Sequence, residues 1–257
     1  MARVEHQESA ASGLPPGAAV SWGFSPRARD SLRYERKFTC DDGRPFLESL
    51  VRLHPALFGE IHHRRWVNNI YFDTRGLASY EDNVDGESRL RIKVRIRWYG
   101  DLLGLIERPV LELKIKRGIV NWKEQFPLAT FAIDESMSIG AIRDLLQRSG
   151  SPEYLTLSLQ NLHPTLVNRY SRNYFQTPDH LFRLTIDSDL EFHAISAHYG
   201  GLGAVLGIDT VILELKYGLD QATAAADLTQ YLPLRVARSS KYATGIDRLR
   251  ARSFHHR

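Results

Sequence analysis

Cation and apolar residue alternate strictly from Arg89 to Arg97, R-L-R-I-K-V-R-I-R. Successive side chains of a strand point to opposite faces, so Arg89, Arg91, Lys93, Arg95 and Arg97 share one face. Leu90, Ile92, Val94 and Ile96 share the other. Like charges two residues apart lie roughly 7 Å from one another, which costs ~0.6 kcal/mol per pair in water and a few times more near protein. Folding alone gains nothing from such a face, whereas a polyanion laid along it would be held. The period recurs in R-Y-E-R-K-F at 33–38, L-E-L-K-I-K at 111–116, R-L-T-I-D-S-D-L-E-F at 183–192 and I-L-E-L-K-Y at 212–217. In the third of these segments Arg183, Thr185, Asp187, Asp189 and Glu191 read as one face. Arg36 and Ser188 interrupt otherwise apolar partner faces. Repeated Arg, Lys and Glu at period two, with few neutral polar residues, predict a closed or strongly curved sheet whose charged face lines a tunnel.

The remaining pattern predicts one α+β domain over 31–250, a closed antiparallel β-barrel with peripheral helices. Residues 1–30, rich in Ala, Gly, Pro and Ser without a period, read as a flexible leader, and 251–257 as a flexible tail. A helix is expected over Pro45–His54, Pro45 suiting a first turn. Asn69–Asp73 reads as a strand ending at a Thr74-Arg75-Gly76 turn, and Arg89–Tyr99 as a strand turning at Gly100-Asp101 into Leu111–Lys116. Arg117-Gly118 is a further turn, and Asn121–Pro127 continues the meander. Helical spacing marks Ser138–Arg148 and Asp220–Leu232, the latter capped by Asp220. Strands are expected at Thr165–Gln176 and Phe182–Phe192, and the Gly-rich run at 200–207 as a loop.

Composition narrows the chemistry. The 257 residues suffice for a sizeable core, and the formal charge of only +4 matters less than the clustering of cations in strands. One cysteine, Cys40, excludes an internal disulfide framework and fits a reducing compartment. No stretch has the apolar length of a membrane span, and charged residues stand where a signal peptide would be apolar, so a cytoplasmic protein is expected. No nucleophile motif is present, and adjacent His62 and His63 diverge on a strand rather than converge on a metal. Nucleic acid is not the expected partner, because the cations alternate with carboxylates that would repel its backbone. Arginine forks and lysine ammonium groups suit phosphate oxygens. Glu35, Glu112, Asp187, Asp189 and Glu214 could each hold Mg²⁺ or Mn²⁺ beside a substrate phosphate, or equally form a salt bridge across the sheet.

The ordered segments R-Y-E-R-K-F (33–38), N-N-I-Y-F-D-T (68–74), K-V-R-I-R-W-Y-G (93–100), L-E-L-K (111–114), N-W-K-E (121–124), Y-S-R-N-Y-F (170–175), R-L-T-I-D (183–187), I-L-E-L-K (212–216) and S-K-Y (240–242) resemble a known family. It is the catalytic domain of the vacuolar transporter chaperones (VTC), polyphosphate polymerases of the triphosphate tunnel metalloenzyme, or CYTH-like, superfamily. The resemblance covers about residues 32–250. It implies transfer of the terminal phosphoryl group of ATP to inorganic polyphosphate inside a cationic tunnel, with Mn²⁺ or Mg²⁺ as cofactor. By motif, Lys37, Arg95, Arg97, Lys114, Lys216 and Lys241 would be catalytic. Lys123, Arg172, Arg183 and Ser240 would bind substrate, joined by Arg91 and Lys93, which share the face of Arg95. Glu214 would be the metal ligand, with Glu35 and Glu112 as further candidates. Eukaryotic members add an inositol-phosphate-sensing domain and membrane helices that this sequence lacks, which implies a free-standing enzyme or a module served by a separate membrane protein. Hydrolytic tunnel relatives carry a glutamate where this chain has Arg33, which favours a phosphate-holding tunnel over a triphosphatase. A polyanion-binding module without catalysis is the remaining alternative.

Overall fold

The computed structural model describes residues 33–85, 90–117, 120–134, 139–150, 152, 155, 157, 159–195 and 202–254. The expected leader, Arg89 and the Gly118 turn lie outside them. Eight antiparallel strands are hydrogen-bonded in the order β1-β11-β9-β8-β2-β3-β5-β6. They are β1 (Tyr34–Cys40), β2 (Gly59–Asp73), β3 (Leu90–Tyr99), β5 (Val110–Arg117), β6 (Val120–Pro127), β8 (His163–Gln176), β9 (Phe182–Ile195) and β11 (Val211–Tyr217). β10 (Leu202–Ile208) pairs with β9, and β4 (Gly104–Ile106) pairs with β7 (Phe131–Ile133) in a separate ribbon. Among the described residues no ladder joins β6 to β1, but the sheet curls until side chains of β5 and β1 touch, Lys114 Nζ lying 2.8 Å from Glu35 Oε2. The expected antiparallel barrel thus takes the form of a curled antiparallel sheet in which β5 reaches β1 through this ion pair.

Alternation along each strand divides the molecule. Val94, Ile96 and Trp98 of β3 join Leu111, Leu113 and Ile115 of β5 in an outer core covered by α3 (Ile139–Arg148). Phe38, Leu184, Ile186, Leu213 and Leu215 form a second outer core under α1 (Arg44–Arg52) and α4 (Ala222–Thr229). Leu47 and Val51 of α1 are fully buried there, each contributing about 1.5–3 kcal/mol. Arg36, an oddity in its apolar face, donates to Tyr217 Oη at 2.9 Å and to Thr229 Oγ1 at 2.9 Å, which satisfies its guanidinium beneath α4. The alternate residues turn inward.

Five expectations from sequence need correction. The Gly-rich run is strand β10 from Leu202 onward, its ladder supplied by β9. The Gly100-Asp101 turn leads first into β4 rather than directly into β5. Asp220 does not cap α4, because Gln221 holds the N-cap position with no side-chain cap and Asp220 instead accepts a bond from the Gln221 side-chain amide. Asp189 and Glu191 do not share the face of Asp187. Asp189 has a φ of 53°, and it stands beside a register shift between Arg169 and Ser171 of β8, so alternation changes phase and Leu190 and Phe192 turn inward instead. Finally, residues 251–254 of the expected tail are helical: α5 (Lys241–Phe254) takes them in and packs against β8 and β9 with Tyr242 and Ile246.

The chain enters α5 along a strap. Val236 bridges to Phe38, and the amide of Ala237 donates to the Lys37 carbonyl at 2.8 Å, so residues 236–237 pair with the outer edge of β1. A buried carboxylate anchors the other side. Asp73 accepts from the amides of Thr74, Ser79 and Tyr80, fixing the start of α2 (Ala78–Asp85), and from Tyr242 Oη at 2.6 Å, fixing α5.

Candidate functional site

The inward side chains of β1, β2, β3, β5, β6, β8 and β11, with the start of α5, line a cavity of about 180 Å³. Among the described residues, ten cations and three carboxylates face it. Of the fifteen residues expected from sequence, thirteen converge here. Lys37 and Glu35 come from β1, Lys93, Arg95 and Arg97 from β3, Lys114 and Glu112 from β5, and Lys123 from β6. Arg172 comes from β8, Glu214 and Lys216 from β11, and Ser240 and Lys241 from the α5 entrance.

Arg91 and Arg183 are not brought into the lining. Arg91 lies one inward position beyond Lys93, near Asp82 of α2, whose carboxyl burial raises and Arg91 draws down. Arg183 sits opposite Lys216 but is exposed.

Three carboxylate hubs organise the cations. Glu112, 2 % exposed, accepts from Arg95 Nε and Nη2 at 2.8 and 2.6 Å and from Gln125 at 2.8 Å. Arg97 and Lys123 stand 3.5 and 3.6 Å away. Burial would raise this carboxyl, but Arg95, Arg97 and Lys123 hold it well below the usual range. Glu214 has Lys37 at 3.0 Å, Lys216 at 3.1 Å, and Lys241 and Arg172 each at 3.5 Å. Burial opposes its ionisation, and these four cations enforce it. Asp187, fully buried, takes both Arg172 donors at 2.5 and 2.6 Å and Lys241 at 2.5 Å. Here too burial would raise the carboxyl, and Arg172 and Lys241 reverse the shift.

Two lysines are less compensated. Lys93 and Lys114 are directly paired across β3 and β5. Lys93 donates to Ser240 Oγ at 2.9 Å, and burial followed by Lys37, Lys114, Arg91 and Arg95 drives its ammonium well down. Lys114 is brought to about 8 by burial, which Glu35 only partly offsets. Glu35 itself reaches about 2, burial being outweighed by Lys37, Lys114 and Lys216 despite repulsion from Glu214.

Aromatic residues absent from the expected set complete the lining. Tyr71 stacks on Tyr242 with ring centres 5.1 Å apart, and Arg95 donates to Tyr71 Oη at 3.3 Å. Arg97 donates to Tyr170 Oη at 3.1 Å and to Asn69 Oδ1 at 3.0 Å, and Lys241 lies 4.7 Å from the Tyr170 ring. Inward parity on β2 and β8 was the available signal for Tyr71 and Tyr170. For Tyr242, a helix that enters from outside, sequence offered none.

As a metal site the residues divide. Glu35 and Glu214 lie side by side through shared Lys37 and Lys216, and two hard carboxylates with incoming phosphate oxygens suit Mn²⁺ or Mg²⁺. Glu112 stands apart from that pair, its oxygens taken by Arg95 and Gln125, and a metal at Glu35 and Glu214 would have to displace the lysines that now hold their oxygens. No group of three or more His, Cys, Asp or Glu converges among the described residues.

Such a lining carries a net positive charge among the described residues. The VTC domain profile matches residues 32–250, and the chain belongs to the VTC domain family. No curated protein matches it. Among solved structures it is similar to a Hippeastrum protein proposed as an adenylyl cyclase and showing dominant triphosphatase activity. That pair has 13% identity and a TM-score of 0.47 over 84% of this chain and 95% of the other. A protein of Pyrococcus horikoshii OT3 matches at 13% identity and TM-score 0.47, over 84% and 99%. A Bacillus halodurans protein proposed as an adenylate cyclase matches at 15% and 0.45, over 82% and 94%. No helix of the described residues is long and apolar enough to cross a membrane.

Proposed function

We propose that this chain is a polyphosphate polymerase, transferring the terminal phosphoryl group of ATP to the end of an inorganic polyphosphate chain held in the cavity. The observation that carries the reading is the imbalance of ten cations over three carboxylates in one enclosed space. Phosphoryl transfer rests on positioning and charge stabilisation, so a site without a protein nucleophile is chemically complete. Three guanidinium groups are oriented in advance: Arg95 by Glu112, Arg97 by the amide oxygen of Asn69, and Arg172 by Asp187. Their forks would grip non-bridging oxygens. Mn²⁺ or Mg²⁺ bound beside Glu214 and Glu35 would add positive charge where the transferred group carries most negative charge. The attacking group would be a phosphate oxygen of the polymer.

The test is incubation of the purified protein with ATP and Mn²⁺, followed by a polyphosphate-stained gel and an ADP assay. Arg95→Ala with Arg97→Ala, and Glu214→Gln, run alongside. Polymer with matching ADP, lost in both variants, supports the reading. ADP and orthophosphate without polymer would replace it with hydrolysis, and tight polyphosphate binding without turnover would leave a binding module.

A further inference from the structure

The cavity has two unlike ends. At one, Lys93 donates to Ser240 and Tyr71 stacks on Tyr242, so α5 forms the wall. At the other, outside the lining itself but one inward position beyond Arg97 and about 7 Å along β3, stands Tyr99, 49% exposed. The Arg65 guanidinium meets two rings there, 4.9 Å from that of Tyr99 and 4.8 Å from that of Tyr174. His62 meets Tyr174 edge-on with ring centres 5.5 Å apart. Tyr174 in turn lies 6.0 Å from the Arg172 guanidinium, which faces the cavity.

This rim is unlike the interior in one respect. Each interior hub matches guanidinium with carboxylate, but none of the ion pairs among the described residues involves Arg65, although Glu60 shares its surface hollow. The pairing of β2 with β8 shifts register twice here, between Glu60 and His62 and between His62 and Arg65. Such bulges re-aim side chains, and here Arg65 and Tyr99 are both left exposed. Folding has little use for that surface, whereas a planar π-system has. A nucleoside triphosphate entering phosphates first, toward Arg95, Arg97 and Arg172, would leave its base at this level.

We propose that Tyr99 and Arg65, braced by Tyr174, form a stacking platform for the nucleobase of the substrate. The inference rests on the reading that the cavity holds the triphosphate. Stacking tolerates any base and grows with ring area, so purine nucleotides bind more tightly than pyrimidine nucleotides, with little distinction between ATP and GTP. Arg65 adds a cation–π contribution from the plane beside it.

The experiment compares ATP with inorganic tripolyphosphate, which has the phosphates and no base, by calorimetric titration of the full chain. Tyr99→Ala is expected to weaken ATP about tenfold while tripolyphosphate stays within about twofold, and Tyr99→Trp to restore ATP affinity. Unchanged tripolyphosphate binding also reports an intact fold. Equal losses on both ligands would make the rim an extension of the phosphate track and overturn the platform, as would no loss on either. Arg95→Ala with Arg97→Ala separates the two ideas, since failure of the cavity reading appears there as unchanged binding of both ligands.

Discussion

Lys114 of β5 and Glu35 of β1 meet at 2.8 Å across a seam that no backbone ladder spans among the described residues. The contact closes the wall and also places a negative charge among cations that would receive phosphate. Glu35→Gln removes that charge. With a chelator present to exclude metal, affinity for tripolyphosphate is expected to rise, on the order of tenfold at low salt and less at high salt. Calorimetry at two ionic strengths measures this, and weaker binding in the variant would contradict the seam's role as a competitor for phosphate.

Asp187 is the buried acid on which Arg172 and Lys241 both depend. Asp187→Asn leaves two enclosed cations with only Glu214, 3.5 Å from each, as counter-charge, which costs up to about 3–5 kcal/mol. Added inorganic phosphate is expected to recover part of the loss by standing in for the carboxylate. Denaturant unfolding with and without phosphate checks both, and a loss below about 1 kcal/mol would show that the cations find other partners.

Acid should unfold the protein through the same hubs. Glu35 is held at about 2, and Glu112, Glu214 and Asp187 also lie below their ordinary values. A carboxylate whose folded value is depressed gives its full stabilisation above the unfolded value, near 4.5 for glutamate, and loses it as pH falls toward the folded one. Stability is therefore expected to be level from about pH 5 to 7 and to drop steeply between about 4.5 and 2. Thermal melts across that range decide it; a decline beginning near neutrality would point to other groups.

Base acts on the ligand rather than the fold. Lys114 titrates near 8, and burial with its cationic neighbours also pulls Lys93 well down. Tripolyphosphate affinity is expected to fall above about pH 8, by up to about tenfold per unit for each proton that must be taken up. The empty protein behaves oppositely. Unfolded Lys114 keeps its proton up to about 10.5, so between 8 and 10.5 the unfolded state binds more protons and stability rises with pH. With 36% of the Lys114 side chain exposed, solvent weakens that second effect. Binding measured from pH 6 to 9 at constant ionic strength tests the first, and a flat profile would sink it.

Gly245 fixes how deeply α5 sits. A Cβ there would lie 2.6 Å from side-chain atoms of both Leu166 and Phe192. Glycine to alanine ordinarily favours a helix by about 1 kcal/mol, but this contact should reverse the sign, with a net loss of about 1–3 kcal/mol. Because α5 carries Ser240 and Lys241 at its entrance, phosphate affinity should fall with it. Denaturant unfolding and tripolyphosphate titration of the variant measure the two losses. A more stable Gly245→Ala protein would show that the helix can shift outward without loss.

Local period explains what could be read in advance. The alternation at Lys93, Arg95 and Arg97 needs only the pleat of one strand, and those three line the cavity while Val94 and Ile96 face the outer core. The motifs around Lys37, Lys114 and Glu214 did the same for their strands, so the lining was largely legible. The phase change at Asp189 was not, because a left-handed residue in mid-strand is imposed by the pairing of β9 with β8. Nor was β10, whose Gly-rich run acquires its ladder only from β9. Glu112 carried no sign of which of its two open roles it would take, since that depended on Arg95 and Gln125 arriving from neighbouring strands. The aromatic rim was hidden likewise, as Arg65, Tyr99 and Tyr174 meet only after three strands align.

The strap at Val236 and Ala237 has a second consequence. An end strand with open amides and carbonyls invites another chain to add itself, and the pairing of Phe38 with Val236 occupies part of that margin on β1. The segment that delivers Ser240 and Lys241 to the cavity is thus also the guard of the sheet's border. A protein cut after Leu232 would lose its last helix and become adhesive in one stroke, so solubility and the completeness of the cavity wall are bound to the same few residues.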